Sequence, residues 1–186
     1  MPVVLIVVAA VVFLPILYVI LTYNGLVALR NHIRDAWGNI DTELKRRYEL
    51  IPNLVATVKG YAAHEKEIFE RVTELRAQCL ASRGAIREQA AHESQLVDAL
   101  QKLLAVVENY PQLKADQHFL ELQRELVNTE DRIQATRRFF NGNVRDYRNK
   151  CETFPSNIIA GMFGFEAQDY FSVRPSVREV PDMDFG

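Results

Sequence analysis

Apolar residues open the chain without any periodic interruption. Val3 to Leu21 reads VVLIVVAAVVFLPILYVIL, 19 residues. At about 1.5 Å rise per residue this is long enough to cross a hydrocarbon layer of roughly 30 Å. No Asp, Glu, Lys, Arg or His occurs from Met1 to Leu29. The stretch predicts a retained transmembrane helix, with Val3 and Leu21 at its ends and Phe13 and Pro15 inside it. A cleaved signal peptide would carry a basic n-region and a shorter apolar core, whereas only Met1-Pro2 precedes this run. Proline is tolerated inside such a span, at the expense of a modest kink.

Beyond the span the pattern becomes helical. Leu26, Leu29, Ile33, Trp37, Ile40, Leu44 and Tyr48 recur in steps of 3 and 4, one stripe of an amphipathic helix. Asn24-Gly25 is only a weak breaker, so this helix is able to continue from the span. Pro52 suits the first turn of a second helix, carrying Leu54, Val55, Val58, Tyr61, Ala62, Ile68, Phe69, Val72, Leu75 and Cys79, with Gly60 as a bend. A third helix is expected from about Ile86 to Val107, its front half weakly apolar, and Asn109-Tyr110-Pro111 stops it. The fourth pattern is the most regular. Phe119, Leu122, Leu126, Thr129, Ile133, Thr136, Phe140, Val144, Tyr147, Cys151 and Phe154 form one seam from a helix predicted over Asp116 to Glu152, which Pro155 ends. A repeat near 3.5 residues held this long implies shallow-angle packing.

No run alternates with period 2, so the expected class is all-α. The expected architecture is a single N-terminal transmembrane helix, an antiparallel four-helix bundle of long helices and an extended C-terminal tail. The corresponding segments are 1–25, 26–165 and 166–186. With four helices alternating in direction, the end of the fourth returns towards the bilayer. There the chain reads FPSNIIAGMFGF, Phe154 to Phe165. Ile158, Ile159, Met162, Phe163 and Phe165 are too apolar for a solvated loop. Three readings stay open: a cap on the bundle's own core, insertion at the membrane interface, or burial against a second subunit.

Charge adds orientation. The 22 Lys and Arg against 24 Asp and Glu give a net charge of −2 and a pI of about 6.1, which supplies no counterion-release drive for nucleic acid. Arg30, Arg34, Lys45, Arg46 and Arg47 all follow the span, so the positive-inside rule predicts the body on the cytoplasmic side, with the N-terminus outside. Tyr18 and Tyr23 suit the aromatic belt at that interface. Cys79 and Cys151 are expected to be reduced, packed thiols. Lys45-Arg46-Arg47 has three readings: a solvated face with intrahelical pairing, contact with lipid headgroups if helix 1 bends, or contact with another subunit or protein. Arg47 also lies near the apolar seam beside Tyr48, where a buried pair would fit.

Catalytic signatures do not emerge. No Glu has a His three residues later, His64-Glu65 and His92-Glu93 lack the second His of HExxH, and neither a P-loop nor GxGxxG is present. No catalytic, metal or cofactor-binding residue is assigned, and no cofactor is expected.

Several segments resemble a known family. LVALRN (Leu26 to Asn31), AWGNID (Ala36 to Asp41), LKRRYELIPNLVATVKGYAAHE (Leu44 to Glu65), TEDRI (Thr129 to Ile133), RRFFN (Arg137 to Asn141), FPSNIIAGMFGF and the closing PDMDF (Pro181 to Phe185) are similar to the LemA family. Gly38 stands where that family often has Ser, and Phe140 where Tyr is common. The resemblance implies a bacterial protein with one membrane helix and a cytoplasmic bundle, without an established biochemical activity, whose relatives are tied to membrane and compartment organisation. The function expected is a membrane-anchored, non-enzymatic scaffold, with the lipid bilayer and further copies of itself, a homo-oligomer, as partners. The alternatives are an adaptor that recruits another membrane protein (a protease, transporter or signalling protein), and an enzyme whose site forms between subunits.

Overall fold

Helix α1 runs unbroken from Pro2 to Tyr61, 60 residues, and joins the apolar span to the amphipathic stripe that follows it. It is the opening element of a computed structural model that describes residues 2–82 and 85–173. Every regular element among these residues is helical: α2 (Lys66–Ala81), α3 (Ile86–Val107), the short α4 (Pro111–Lys114), α5 (Gln117–Glu152) and α6 (Ser156–Met162). The expected tail beyond Val173, with its PDMDF segment, lies outside the described residues.

The two ends of α1 meet different surroundings. From Val3 to Leu21 its described large apolar side chains are exposed, apart from the half-buried Val19. This is the one helix among the described residues long and apolar enough to cross a membrane. From Thr22 onward one face turns inward, with Leu26, Ile33, Ala36, Ile40 and Leu44 buried.

The predicted break at Pro52 does not occur. The buried seam continues through Tyr48, Ile51, Leu54 and Val58, and the turn comes instead at residues 62–65. A proline inside a helix removes the N–H that would bond the carbonyl four residues back, here that of Tyr48. The guanidinium of Arg76, on α2, supplies the missing donor: its Nε bonds the Tyr48 carbonyl oxygen at 2.7 Å. Pro52 itself is exposed, so its ring points away from the packed face.

The chain divides into two units, each with its own core. The first comprises the chain up to Ile40 and Thr136–Tyr170. In it α1 packs on α5, and the rings of Trp37 and Phe140 meet with centroids 5.5 Å apart. Phe140, Val144 and Tyr147 are fully buried, as the regular seam of α5 requires. Phe154 leaves that seam and is exposed, because α5 ends at Glu152 and its period no longer governs the chain.

The second unit comprises Asp41–Ala135 and the segment from Phe171. Here α2 packs along α3, burying Phe69, Val72, Leu75 and Cys79 from one and Leu96, Leu100, Leu103 and Val107 from the other. Asp116 caps α5: its carboxylate accepts the Phe119 N–H at 2.8 Å, the third residue of the helix, where an orphan donor needs a partner. That bond, reinforced by the Tyr61 hydroxyl, holds the Asp116 carboxyl below its ordinary pKa.

Candidate functional site

The basic triplet splits according to helical position. Lys45 is exposed and pairs with Asp41 one turn back, at 2.6 Å, a contact worth only about 0.3–0.5 kcal/mol. Arg46 is exposed. Arg47 points into the second unit and is 1% exposed.

There Arg47 meets two carboxylates from two other helices. One nitrogen of its guanidinium donates to Glu130 of α5 at 2.8 Å and another to Glu93 of α3. Glu93 is fully buried. It also accepts the Tyr48 hydroxyl and the side-chain amide of Gln89, at 2.8 Å. The same amide lies 3.1 Å from the Tyr48 oxygen. Glu130 is about one-third exposed, so water shares its charge.

Burial alone would lower the Arg47 pKa, but the two carboxylates outweigh it and hold it above its ordinary value. Desolvation raises the Tyr48 phenol, and the neighbouring Glu93 raises it further. Cys79, also buried beside this group, is pushed up to about 12, first by burial and then by Glu93. Every group whose pKa is displaced here is driven towards the form it already holds at neutral pH. That favours a fixed structural polar level over proton transfer or nucleophilic attack.

Glu93 and Gln89 are the residues that sequence reasoning missed. They lie in the front half of α3, which reads as weakly apolar. Yet Gln89, Glu93, Leu96 and Leu100 continue one stripe at steps of 4, 3 and 4. A buried cation at Arg47 needs a buried anion, and Glu93 is the one on that stripe.

The segment after α5 also divides. Ser156, Ile159, Ala160 and Phe165 are buried, whereas Phe154, Ile158, Met162 and Phe163 are exposed. The Ser156 hydroxyl lies 2.6 Å from the Lys150 carbonyl and 2.8 Å from that of Thr153, which answers open acceptors at the end of α5. Helix α6 ends in a Schellman motif: the Phe165 N–H bonds the Ala160 carbonyl at 2.9 Å and the Gly164 N–H bonds that of Gly161 at 3.4 Å. Gly164 takes φ +66°, the left-handed conformation that glycine adopts without penalty. The motif returns Phe165 to α1, where its ring meets Tyr23 edge-on at 5.5 Å and lies 5.3 Å from the Arg30 guanidinium. Phe163 meets Tyr23 at 4.9 Å.

A surface groove of about 410 Å³ runs along α2 and α3, lined among others by Arg71, Leu75, Gln95 and Ala99. Arg71 is already paired with Glu74. Among the described residues, no group of three or more His, Cys, Asp or Glu is placed to hold a metal ion.

Comparison with known proteins agrees with the sequence motifs. The chain is similar to the magnetosome protein MamQ of Magnetospirillum gryphiswaldense, 25% identical over 182 residues, which is 84% of this chain and 67% of that protein. It is also similar to protein LemA of Metamycoplasma hominis, 28% identical over 138 residues, 74% of this chain and 63% of that protein. The chain thus spans about two thirds of the length of these relatives. The family model described as LemA family matches residues 36–185, most of the chain, and the chain belongs to the LemA family.

Proposed function

We propose that this protein is a membrane-anchored, non-enzymatic scaffold whose helical body associates laterally with copies of itself at the cytoplasmic face of a bacterial inner membrane. The observation that carries the reading is α1. One unbroken helix is apolar over its first twenty residues, where the described side chains are exposed apart from half-buried Val19, and core-forming over the rest. An anchored body is confined to two dimensions, which raises its effective concentration and makes weak lateral contacts count. The basic residues that follow the span, beginning with Arg30 and Arg34, favour the cytoplasmic side.

The body is read as an antiparallel four-helix bundle of α1, α2, α3 and α5. Contacts in each unit support this: Gly25 faces Lys150 while Trp37 faces Phe140, and Glu43 faces Arg132 while Arg47 faces Glu130. Numbers rise on α1 as they fall on α5. The likeness to proteins named MamQ and LemA supports a place at a membrane.

Light scattering of the detergent-extracted full chain over a range of concentrations tests the proposal. A discrete oligomer, or mass that rises with concentration, is expected. A strict monomer throughout sinks self-association.

A further inference from the structure

We propose that the outer face of α6 is a lipid-binding surface, seated in the headgroup region of the same bilayer that α1 crosses. The proposal rests on the anchoring of α1 and adds a second, peripheral membrane contact.

The inward and outward faces of α6 are chemically distinct roles of one short helix. Ser156, Ile159 and Ala160, at steps of 3 and 1, pack inward. Ile158 and Met162, one turn apart, point outward and are 54% and 74% exposed; Phe154 before the helix and Phe163 after it are 76% and 51% exposed. Single exposed apolar residues are ordinary on protein surfaces. Four within ten residues, in a segment without one charged side chain from Phe154 to Phe165, are not.

Position identifies the occupant. Phe163 is in ring contact with Tyr23, and Tyr23 stands two residues beyond Leu21, the last residue of the apolar span. The exposed face is therefore continuous with the point where α1 leaves hydrocarbon. Tyrosine is enriched at that depth, and aromatic and aliphatic side chains on an amphipathic segment bury there by about 5–10 Å. Basic groups flank the contact: Arg30 over the Phe165 ring, and the Lys150 ammonium against Gly25, in the space a Cβ would take. Both suit anionic headgroups. A seven-residue helix is short for an independent membrane anchor. Tethered beside a transmembrane helix it does not need to be one, because the span already supplies its local concentration.

Tryptophan quenching in lipid tests this on the full chain. In a Trp37→Phe background the probe becomes the one indole, since the chain has a single Trp. Met162→Trp, Tyr18→Trp and Phe139→Trp are each reconstituted into phosphatidylcholine–phosphatidylglycerol vesicles whose acyl chains carry bromine near the headgroup end. Phe139 is exposed on α5 in the same unit, about 20 Å along the helix from Glu152. Met162→Trp is expected to lose emission roughly twofold, like Tyr18→Trp, with deep-brominated lipid less effective; Phe139→Trp keeps its emission. Met162→Trp behaving as Phe139→Trp overturns the proposal. So does blue-shifted, unquenched emission that varies with protein-to-lipid ratio, which assigns the face to a second copy. If Met162→Trp loses its helical circular dichroism, Ile158→Trp takes its place as the probe, with the same expected and overturning results. Loss of quenching at Tyr18→Trp instead refutes the anchoring of α1.

Discussion

Replacing Arg47 by Met tests the buried polar level of the second unit. Methionine retains much of the aliphatic stem, so the loss is concentrated in the guanidinium. Two charge-assisted hydrogen bonds disappear, to Glu93 and to Glu130. Bonds to charged groups contribute about 1.5–3 kcal/mol each. Independently, removing one partner of a buried ion pair costs about 3–5 kcal/mol, because the other charge is left behind. The two partners will not contribute equally. Glu130 is about one-third exposed and can recover water, whereas Glu93 is fully buried and keeps the neutral donors of Tyr48, Gln89 and Cys79. The expected loss is therefore about 3–4 kcal/mol, most of it from Glu93. Adding Glu93→Gln to Arg47→Met removes the stranded charge and leaves an amide oxygen for Tyr48. The double variant should recover about 2 kcal/mol relative to Arg47→Met alone. Urea unfolding of the full chain in detergent, followed by circular dichroism and compared at equal slope, measures both. An Arg47→Met loss below about 1 kcal/mol, or a double variant no more stable than Arg47→Met alone, refutes the reasoning.

Arg76→Met should destabilise by about 1–2 kcal/mol because it strands the Tyr48 carbonyl; in a Pro52→Ala background, where a helical N–H is restored, the same unfolding assay should show a clearly smaller loss. Gly164→Ala should lower stability by about 1–2 kcal/mol, since its left-handed φ is strained for a residue with a Cβ; no change would mean that the Schellman turn is not needed. A colourless-to-yellow disulfide reagent at pH 8 should modify Cys151 at least about tenfold faster than Cys79. Both thiols are raised above their ordinary pKa by burial, but Cys79 is pushed up to about 12 and is 2% exposed, while Cys151 is only half-buried; faster reaction at Cys79 would contradict its burial.

Periodicity made α3 and α5 legible nearly to the residue, because both are held by long apolar seams that a solvated helix would not need. Composition rather than period marked the long apolar N-terminal helix, as nineteen residues run without a charge. The boundary of α1 was not legible, and the reason is physical. A proline's penalty is local in sequence, but its remedy here is Arg76, 24 positions later. The actual turn, Ala62-Ala63-His64-Glu65, contains neither Gly nor Pro. The uninterrupted stripe Tyr48, Ile51, Leu54 and Val58 was the better signal, and it outweighed the breaker. Glu93 was hidden for the opposite reason: a charged residue on an apolar stripe reads as a frayed turn until its counter-ion is known. The segment from Phe154 to Phe165 was legible as apolar. Its division into a buried half and an exposed half required the turn at Gly164 and the contacts to Tyr23.

The polar contacts of the second unit concentrate at one level of α1. Arg47 and Tyr48 supply side chains there, and Pro52 frees the Tyr48 carbonyl. Their partners come from α2 (Arg76), α3 (Gln89 and Glu93) and α5 (Glu130). Apolar seams drive the helices together but discriminate poorly between registers, since one leucine packs much like the next. A buried polar level discriminates sharply, as a single polar core residue does in coiled coils. Sliding α3 by one turn would take Glu93 away from Arg47 and Tyr48 and leave Arg47 with Glu130 alone, at a cost of several kcal/mol. The hydrophobic seams therefore account for the association of these helices, and the Arg47 level accounts for their alignment.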